Sequence, residues 1–338
     1  MRPSSISNVL KYWIKQQRPV FIWGPPGIGK SEVVAQTAVA LNYELQDVRL
    51  NLLDPVDIRG LPVPNHEHKQ MIWYTPDFLP SMLIDGKPNM TEGILFLDDF
   101  NSADRSVQAA GYQLILNRRI GKYILPVNWT IVAAGNRDSD RAITYAMPSA
   151  LSSRFVHLDF DVHLDDFCKH AIKNNIQPEL IAFLRFRTNL LHNFEPKLNA
   201  RAFPCPRTWV FVNQLIGSKL APEEEFEAMA GIVGEGAAGE FSAFLRLNKD
   251  LPTIDQILLD PDQTPIPKTD QPSTIYAITS TLSHYASKEN FDRIMRYANR
   301  LPVEFQVLFV RDSSHKCEAI TKTTAFIEWG IKNYALLT

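Results

Sequence analysis

Short apolar runs punctuate the first half of the chain, Pro19 to Trp23, Gly93 to Leu97 and Trp129 to Ala134, each followed by a glycine or an acid, while Leu45 to Leu50 and Val156 to Asp159 read as two further strands. Runs this short, bounded by turn signals, predict buried strands of a parallel sheet. Between them the period lengthens. Ser4 or Ser5 caps a helix through about Gln17, with Ile6, Val9, Leu10 and Trp13 on one face, and further helices are expected over Glu32 to Leu41 and Ser102 to Arg118. Two stretches read as inserted hairpins: Leu61 to Tyr74, with a polar tip at 65–70, and Arg118 to Leu125, with a glycine-centred turn. From Leu164 onward the pattern is helix after helix, with stripes at Leu180, Ile181 and Leu184, at Phe226, Met229 and Val233, and at Ile275, Ile278 and Leu282. The Gly- and Ala-rich stretch 231–239 suggests a close helix approach or a hinge, and the proline-rich stretch 260–272 reads as a linker. The expected organisation is an α/β domain over 1–162, a helical domain over 163–250, and a linker with a helical extension over 251–338.

Composition narrows the class. The 338 residues are 45% hydrophobic, enough for real cores, and the formal charge of −2 from 35 basic and 37 acidic residues exerts no overall pull toward nucleic acid or an anionic membrane. Cys168, Cys205 and Cys317 lie far apart with no Cys-x-x-Cys pair, which argues against a disulfide framework or a thiolate zinc site and fits a reducing cytoplasm. The stretch after Met1 lacks the apolar region of a signal peptide, and no apolar run approaches membrane-spanning length. The expectation is a cytoplasmic protein with no membrane span.

The chemistry begins at Gly24-Pro25-Pro26-Gly27-Ile28-Gly29-Lys30-Ser31, placed where a strand turns into a helix. Gly-x4-Gly-Lys-Ser in that context is a P-loop: the backbone over Pro26, Gly27, Ile28, Gly29, Lys30, Ser31 and Glu32 can curl around a phosphate chain at the positive end of a helix, with N–H donors at every position but Pro26. Lys30 would reach the β- and γ-phosphates, and the Ser31 hydroxyl would ligate Mg²⁺. A second apolar strand delivers Asp98 and Asp99 at its carboxyl end. Asp98 would hold the Mg²⁺ shell through water and Asp99 would polarise an attacking water, although taken alone the pair could simply start a turn. Asn136 ends another strand, where it either orients water or serves as a turn residue. Arg154 precedes the last strand, as a surface ion-pair residue or as a side chain sent to a neighbouring subunit, and Arg207 lies in the first turn of a later helix, where a cation is disfavoured unless an anion faces it. His66 and His68 could be metal ligands, yet they sit on a solvated tip without an identified partner.

The order of Gly24 to Ser31, Ile94 to Asp99, Asn136, Arg154 and Arg207 resembles the AAA+ ATPases, and Leu53 to Gly60 with Ala134-Gly135-Asn136-Arg137 resembles the MoxR-like group of bacteria and phages, related to chelatase ATPase subunits. The resemblance covers about residues 1–250. It implies an α/β P-loop NTPase (ASCE/AAA+) core with a parallel five-stranded sheet, followed by an α-helical lid; the C-terminal helical extension rests on periodicity alone. It also implies ATP/ADP and Mg²⁺ as ligands, Asn136 as sensor 1, Arg154 as a finger for the neighbouring subunit (with Arg137 and Arg141 as nearby alternatives), and Arg207 as sensor 2. The implied partners are further copies in a hexameric ring, a protein client, and an adaptor of the von Willebrand factor A type, in a bacterial or phage-infected cell. Trp73, Tyr74 and Tyr123 would lie near the pore and grip a polypeptide. The pair Asp98-Asp99 departs from the family's Asp-Glu, which leaves the presumed base one methylene short. Two other readings remain: a nucleic-acid motor using Arg118, Arg119 and Lys122 on phosphates, and a nucleotide-switched assembly factor with little turnover.

Overall fold

The computed structural model describes residues 1–333 apart from 68, 82, 85–86, 141–144, 198–199, 250 and 269, so the expectations for His68 and Arg141 fall outside the described residues. The chain divides into two compact units, Met1–Asp161 and Val162–Thr338.

The first unit opens with helix α1 (Pro3–Lys15), strand β1 (Val20–Trp23), helix α2 (Lys30–Leu41) and strand β2 (Glu44–Arg49). Helix α3 (Pro55–Arg59), begun by an Asp54/Asp57 capping box, then leads into the hairpin β3 (Leu61–Asn65) and β4 (Gln70–Tyr74). A small ribbon, β5 (Leu83–Ile84) with β6 (Lys87–Pro88), precedes β7 (Gly93–Asp98), α4 (Arg105–Asn117) and the short hairpin β8 (Arg119–Ile120) and β9 (Tyr123–Ile124). The unit closes with β10 (Trp129–Gly135), α5 (Ser149–Ser152) and β11 (Val156–Asp159).

Five of these strands form one parallel sheet in the order β11-β1-β10-β7-β2. Every residue of β7 and of β10 is buried, as expected for inner strands covered on both faces. Phe21, Leu95, Leu97, Ile131 and Ala133 join Phe100, Val107 and Leu114 in the core beneath α4. The register pairs Trp23 with Gly135, Ala133 with Leu97 and Arg49 with Asp98. All five strands run the same way, so this register brings the segments after β1, β7 and β10 to one edge of the sheet.

The two hairpins depart from their expected use in part. Trp73 and Tyr74 are 40% and 62% exposed, but Tyr123 is buried and its hydroxyl donates to the Pro80 carbonyl at 2.8 Å, so it is a packing residue and not a gripping one. Burial also pushes its phenol well above the usual range. Arg118, in the left-handed region at φ 54°, turns its guanidinium inward to the carbonyls of Pro126 and Trp129, both at 2.8 Å, and so braces the hairpin instead of facing solvent.

The second unit is helical: α6 (Leu164–Lys173), α7 (Pro178–Phe186), α8 (Pro206–Asn213), α9 (Pro222–Val233), α10 (Glu235–Leu247), α11 (Ile254–Leu259), α12 (Pro272–Tyr285), α13 (Phe291–Ala298), α14 (Val303–Lys316) and α15 (Thr324–Lys332). A Cβ added at Gly231, Gly236 or Gly239 would meet nothing within 4 Å, so these glycines do not permit a close helix approach within the unit. The stretch 260–272 is no free linker either. Arg300 donates to the carbonyls of Pro261 and Thr264, and the Tyr297 hydroxyl to that of Pro265, strapping 261–265 onto α13 and the turn after it. Helix α7 packs on α12, and α12 on α14. Across that layer Arg185 and Asp312 form an ion pair at 2.5 Å, with side chains only 5% and 3% exposed. Cys168 lies beside it, and burial pushes its thiol up to about 11. Among the described residues no helix is long and apolar enough to cross a membrane.

A buried charge that loses its partner is strongly destabilising, whereas replacing both members by apolar residues is often tolerated. Asp312→Ala is therefore expected to lower stability by about 3–5 kcal/mol in urea unfolding, and Arg185→Met with Asp312→Leu to recover most of that loss. Equal losses in the two variants would contradict a paired role for Arg185.

Candidate active site

The loop between β1 and α2 has the backbone its sequence requires. Gly27 and Gly29 sit at φ 77° and 97°, a region that L side chains rarely enter, and Gly29 is the N-cap of α2. Lys30, the first residue of α2, is 8% exposed, and its ammonium donates to Gly24 O at 2.7 Å, Pro25 O at 3.0 Å and Asn136 Oδ1 at 3.0 Å. The Ser31 hydroxyl donates to Asp98 Oδ2 at 2.7 Å. Glu32 turns its carboxylate along the helix to Gln36, which leaves its backbone N–H as the group it can offer to a phosphate. Lys30, Ser31, Asp98 and Asn136 are thus brought together.

Asp99 follows β7 in the left-handed region, φ 51° and ψ 35°, which an Asp tolerates better than most side chains. Its backbone N–H donates to Asp98 Oδ1 at 2.9 Å, and its Oδ2 accepts from Asn51 Nδ2 at 3.2 Å. Asn51 had no distinguishing sequence signal: it follows β2 in a single helical turn, and only the pairing of β2 with β7 brings it to Asp99. Asn101, also unremarked in the sequence, binds the backbone of Asn136 through both atoms of its amide.

The candidate arginines differ in what they already hold. Arg137 donates to Asp161 Oδ1 at 2.9 Å and lies 3.3 Å from Asp159 Oδ1. Burial works against its charge, but the Asp161 hydrogen bond and the charges of Asp161, Asp159 and Asp140 hold the guanidinium above its ordinary range. Arg154 is exposed on the segment between α5 and β11 and donates to the Ala150 carbonyl at 2.6 Å. Arg207, likewise exposed, is the second residue of α8 in the other unit. His66 is exposed at the tip of the β3–β4 hairpin, and among the described residues no group of three or more His, Cys, Asp or Glu side chains is placed to hold a metal.

The donor set fits Mg²⁺, a hard cation that is bound by one or two protein oxygens together with substrate phosphates and water. Ser31 Oγ and the Asp98 carboxylate would hold it. Asp47, on the neighbouring strand β2, has its carboxyl held above the ordinary range by partial burial and then by the charges of Asp98 and Asp99, with Arg49 opposing.

Residues 19–155 match the AAA domain family, dynein-related subfamily. The parallel five-stranded sheet with its flanking helices is the fold of the P-loop AAA+ proteins. Solved structures similar to this chain include a provisionally assigned ATPase of Cytophaga hutchinsonii, at 13% identity over 92% of this chain and 81% of that one, with a TM-score of 0.37. Others are Thermotoga maritima RuvB, a Holliday junction branch migration motor, at 17% identity over 77% and 75% with a TM-score of 0.38, and a point variant of the same RuvB at 19% identity over 77% and 74% with the same score.

A carboxyl whose folded-state pKa is raised favours folding while it is protonated and loses that contribution as pH rises through the folded value. Asp47→Asn is therefore expected to melt slightly above wild type at neutral pH in the absence of divalent cations, with the gap closing as pH falls below the ordinary carboxylate range, where Asp47 is protonated folded and unfolded alike. A gap that is constant across pH would contradict crowding of Asp47 by Asp98 and Asp99.

Proposed function

We propose that this protein is a Mg²⁺-dependent, ring-forming ATPase of the MoxR-like group that remodels, activates or assembles a protein client, with each site completed by a neighbouring copy. One observation carries the reading. Lys30 and Asn136, 106 positions apart, share a 3.0 Å hydrogen bond, and beside them Ser31 and Asp98, 67 positions apart, share one at 2.7 Å. That convergence suits one nucleotide with its metal.

In this reading the N–H groups from Gly27 to Glu32 bind the phosphate chain, and Lys30 moves its donors from the loop carbonyls to the β- and γ-phosphates. Bound Mg²⁺ supplies Lewis-acid polarisation of the phosphate oxygens. Asn136 orients a water in line with the γ-phosphorus, and Asp99 accepts its proton as the new O–P bond forms and the bond to the β-phosphate oxygen breaks, giving ADP and phosphate. Asn51 keeps the shorter Asp99 carboxylate oriented through the 3.2 Å hydrogen bond. Arg154, exposed and without a carboxylate partner among the ion pairs of the described residues, is favoured as the finger for the next subunit over Arg137, which is engaged by Asp159 and Asp161. Arg207 would respond to the γ-phosphate from the helical lid. The exposed Met71, Trp73 and Tyr74 on the β3–β4 hairpin support contact with an apolar client segment. The inward guanidinium of Arg118 counts against the nucleic-acid reading. A nucleotide-switched factor with slow turnover is favoured by one feature, the left-handed, Asn51-held Asp99.

Phosphate release at concentrations that allow assembly tests the proposal. Lys30→Ala should abolish turnover, and Arg154→Ala should lose roughly 10³-fold or more, the scale of an arginine finger supplied in trans. Mixing Arg154→Ala with Asp99→Asn should restore activity that neither variant has alone, since each lacks what the other contributes. Arg154→Ala turning over as fast as wild type would overturn the shared site.

A further inference from the structure

We infer that Asn101 is the positioning residue that sets Asn136 against Lys30 and locks it to the turn carrying Asp99; the inference rests on the ATPase reading of this site. Asn101 lies two residues past Asp99 and is 1% exposed. Its side chain folds back onto the end of β10, with Nδ2 donating to Asn136 O at 2.8 Å and Oδ1 accepting from Asn136 N at 3.1 Å. One planar amide therefore meets both the donor and the acceptor of a single backbone residue, as a neighbouring strand would. Gly135 makes the fit possible, because a Cβ there would lie 2.2 Å from Asn101 Oδ1. The Asn101 carbonyl in turn accepts from Tyr145 N at 2.8 Å, and the Arg105 guanidinium lies 5.3 Å from the Tyr145 ring centroid, so the clasp is also held from its outer side.

The consequence falls on Asn136. Its side-chain Oδ1 receives the Lys30 ammonium at 3.0 Å, and its backbone is fixed by a residue of the same turn that holds Asp99. The group that orients water and the group that takes its proton thereby share one rigid connection, independent of the backbone hydrogen bond from Gly24 N to Gly135 O. Among side chains of this size only an amide offers the donor and the acceptor that this backbone requires, since Asp presents two acceptors when ionised and Leu presents neither donor nor acceptor.

A double-mutant cycle, read by single-turnover hydrolysis and by ATP affinity with wild type alongside, tests this. Asn101→Ala is expected to slow hydrolysis about tenfold to a hundredfold, the scale of a small misplacement of reacting groups, while ATP affinity changes by less than about threefold. Asn101→Ala combined with Asn136→Ala should be no slower than Asn136→Ala alone, because the two act as one unit. Asn101→Asp separates positioning from packing. Its ionised carboxylate would face the Asn136 carbonyl oxygen, whereas its protonated carboxyl can donate as the amide does. Burial raises a carboxyl's pKa, so the rate of this variant relative to wild type should climb as pH falls from about 8.5 to about 6. Additive losses in the cycle, a pH-independent Asn101→Asp ratio, or failure of both Asn101 variants to fold would overturn the inference and leave Asn101 a packing residue. Hydrolysis by wild type with an unchanged Asn101→Ala rate overturns the inference alone, and absence of hydrolysis in wild type overturns the ATPase reading and this inference with it.

Discussion

An ammonium group as enclosed as that of Lys30, 8% exposed, needs acceptors around it, since a buried unpaired charge is far too costly to keep. Its acceptors come from two places: the carbonyls of Gly24 and Pro25 in its own loop, and the side chain of Asn136 at the end of β10. That second acceptor exists only because β1 and β10 are adjacent and in register, with Trp23 opposite Gly135. The same register carries over to β7, where Asp98 meets the Ser31 hydroxyl on the first turn of α2. The arrangement is therefore a property of strand order as much as of motif, and shifting any one of the three inner strands would break the hydrogen bond of Lys30 to Asn136 or that of Ser31 to Asp98.

Much of this was readable from residue pattern. The strands were legible because inner strands of a parallel sheet must be apolar on both faces, which produces uninterrupted runs such as Gly93 to Leu97 and Trp129 to Ala134. The phosphate loop was legible because its glycines must adopt positive φ, a requirement that few other residues meet. What was illegible depends on contacts between distant segments. Asn51 and Asn101 are ordinary polar residues after a strand and within a turn, and they gain roles only when β2 lies beside β7 and the β7 turn lies beside the end of β10. Arg118 and Tyr123 looked like surface chemistry, but a guanidinium can brace carbonyls and a phenol can bury its ring while keeping one hydrogen bond. Composition alone cannot distinguish those uses.

The helical unit illustrates the same limit. Four prolines among polar residues suggest a linker over 260–272, yet a proline that cannot donate still keeps its carbonyl acceptor, and those of Pro261 and Pro265 accept from Arg300 and Tyr297. The Arg185–Asp312 pair, 127 positions apart, joins α7 to α14 inside this unit and has no local sequence signature. Its partners could be named only after the helices were packed.

The central claim is that Lys30, Ser31, Asp98 and Asn136 form one site for a nucleoside triphosphate with its metal. Equilibrium binding of a fluorescent ATP analogue, titrated with Mg²⁺ and again with EDTA, tests this directly on wild type and on Lys30→Ala and Ser31→Ala. The account predicts saturable binding by wild type that tightens with Mg²⁺, loss of binding in Lys30→Ala, and loss of the Mg²⁺ effect with retention of weaker binding in Ser31→Ala. Equal affinity of wild type and Lys30→Ala, or tightening by Mg²⁺ that survives removal of the Ser31 hydroxyl, would contradict it.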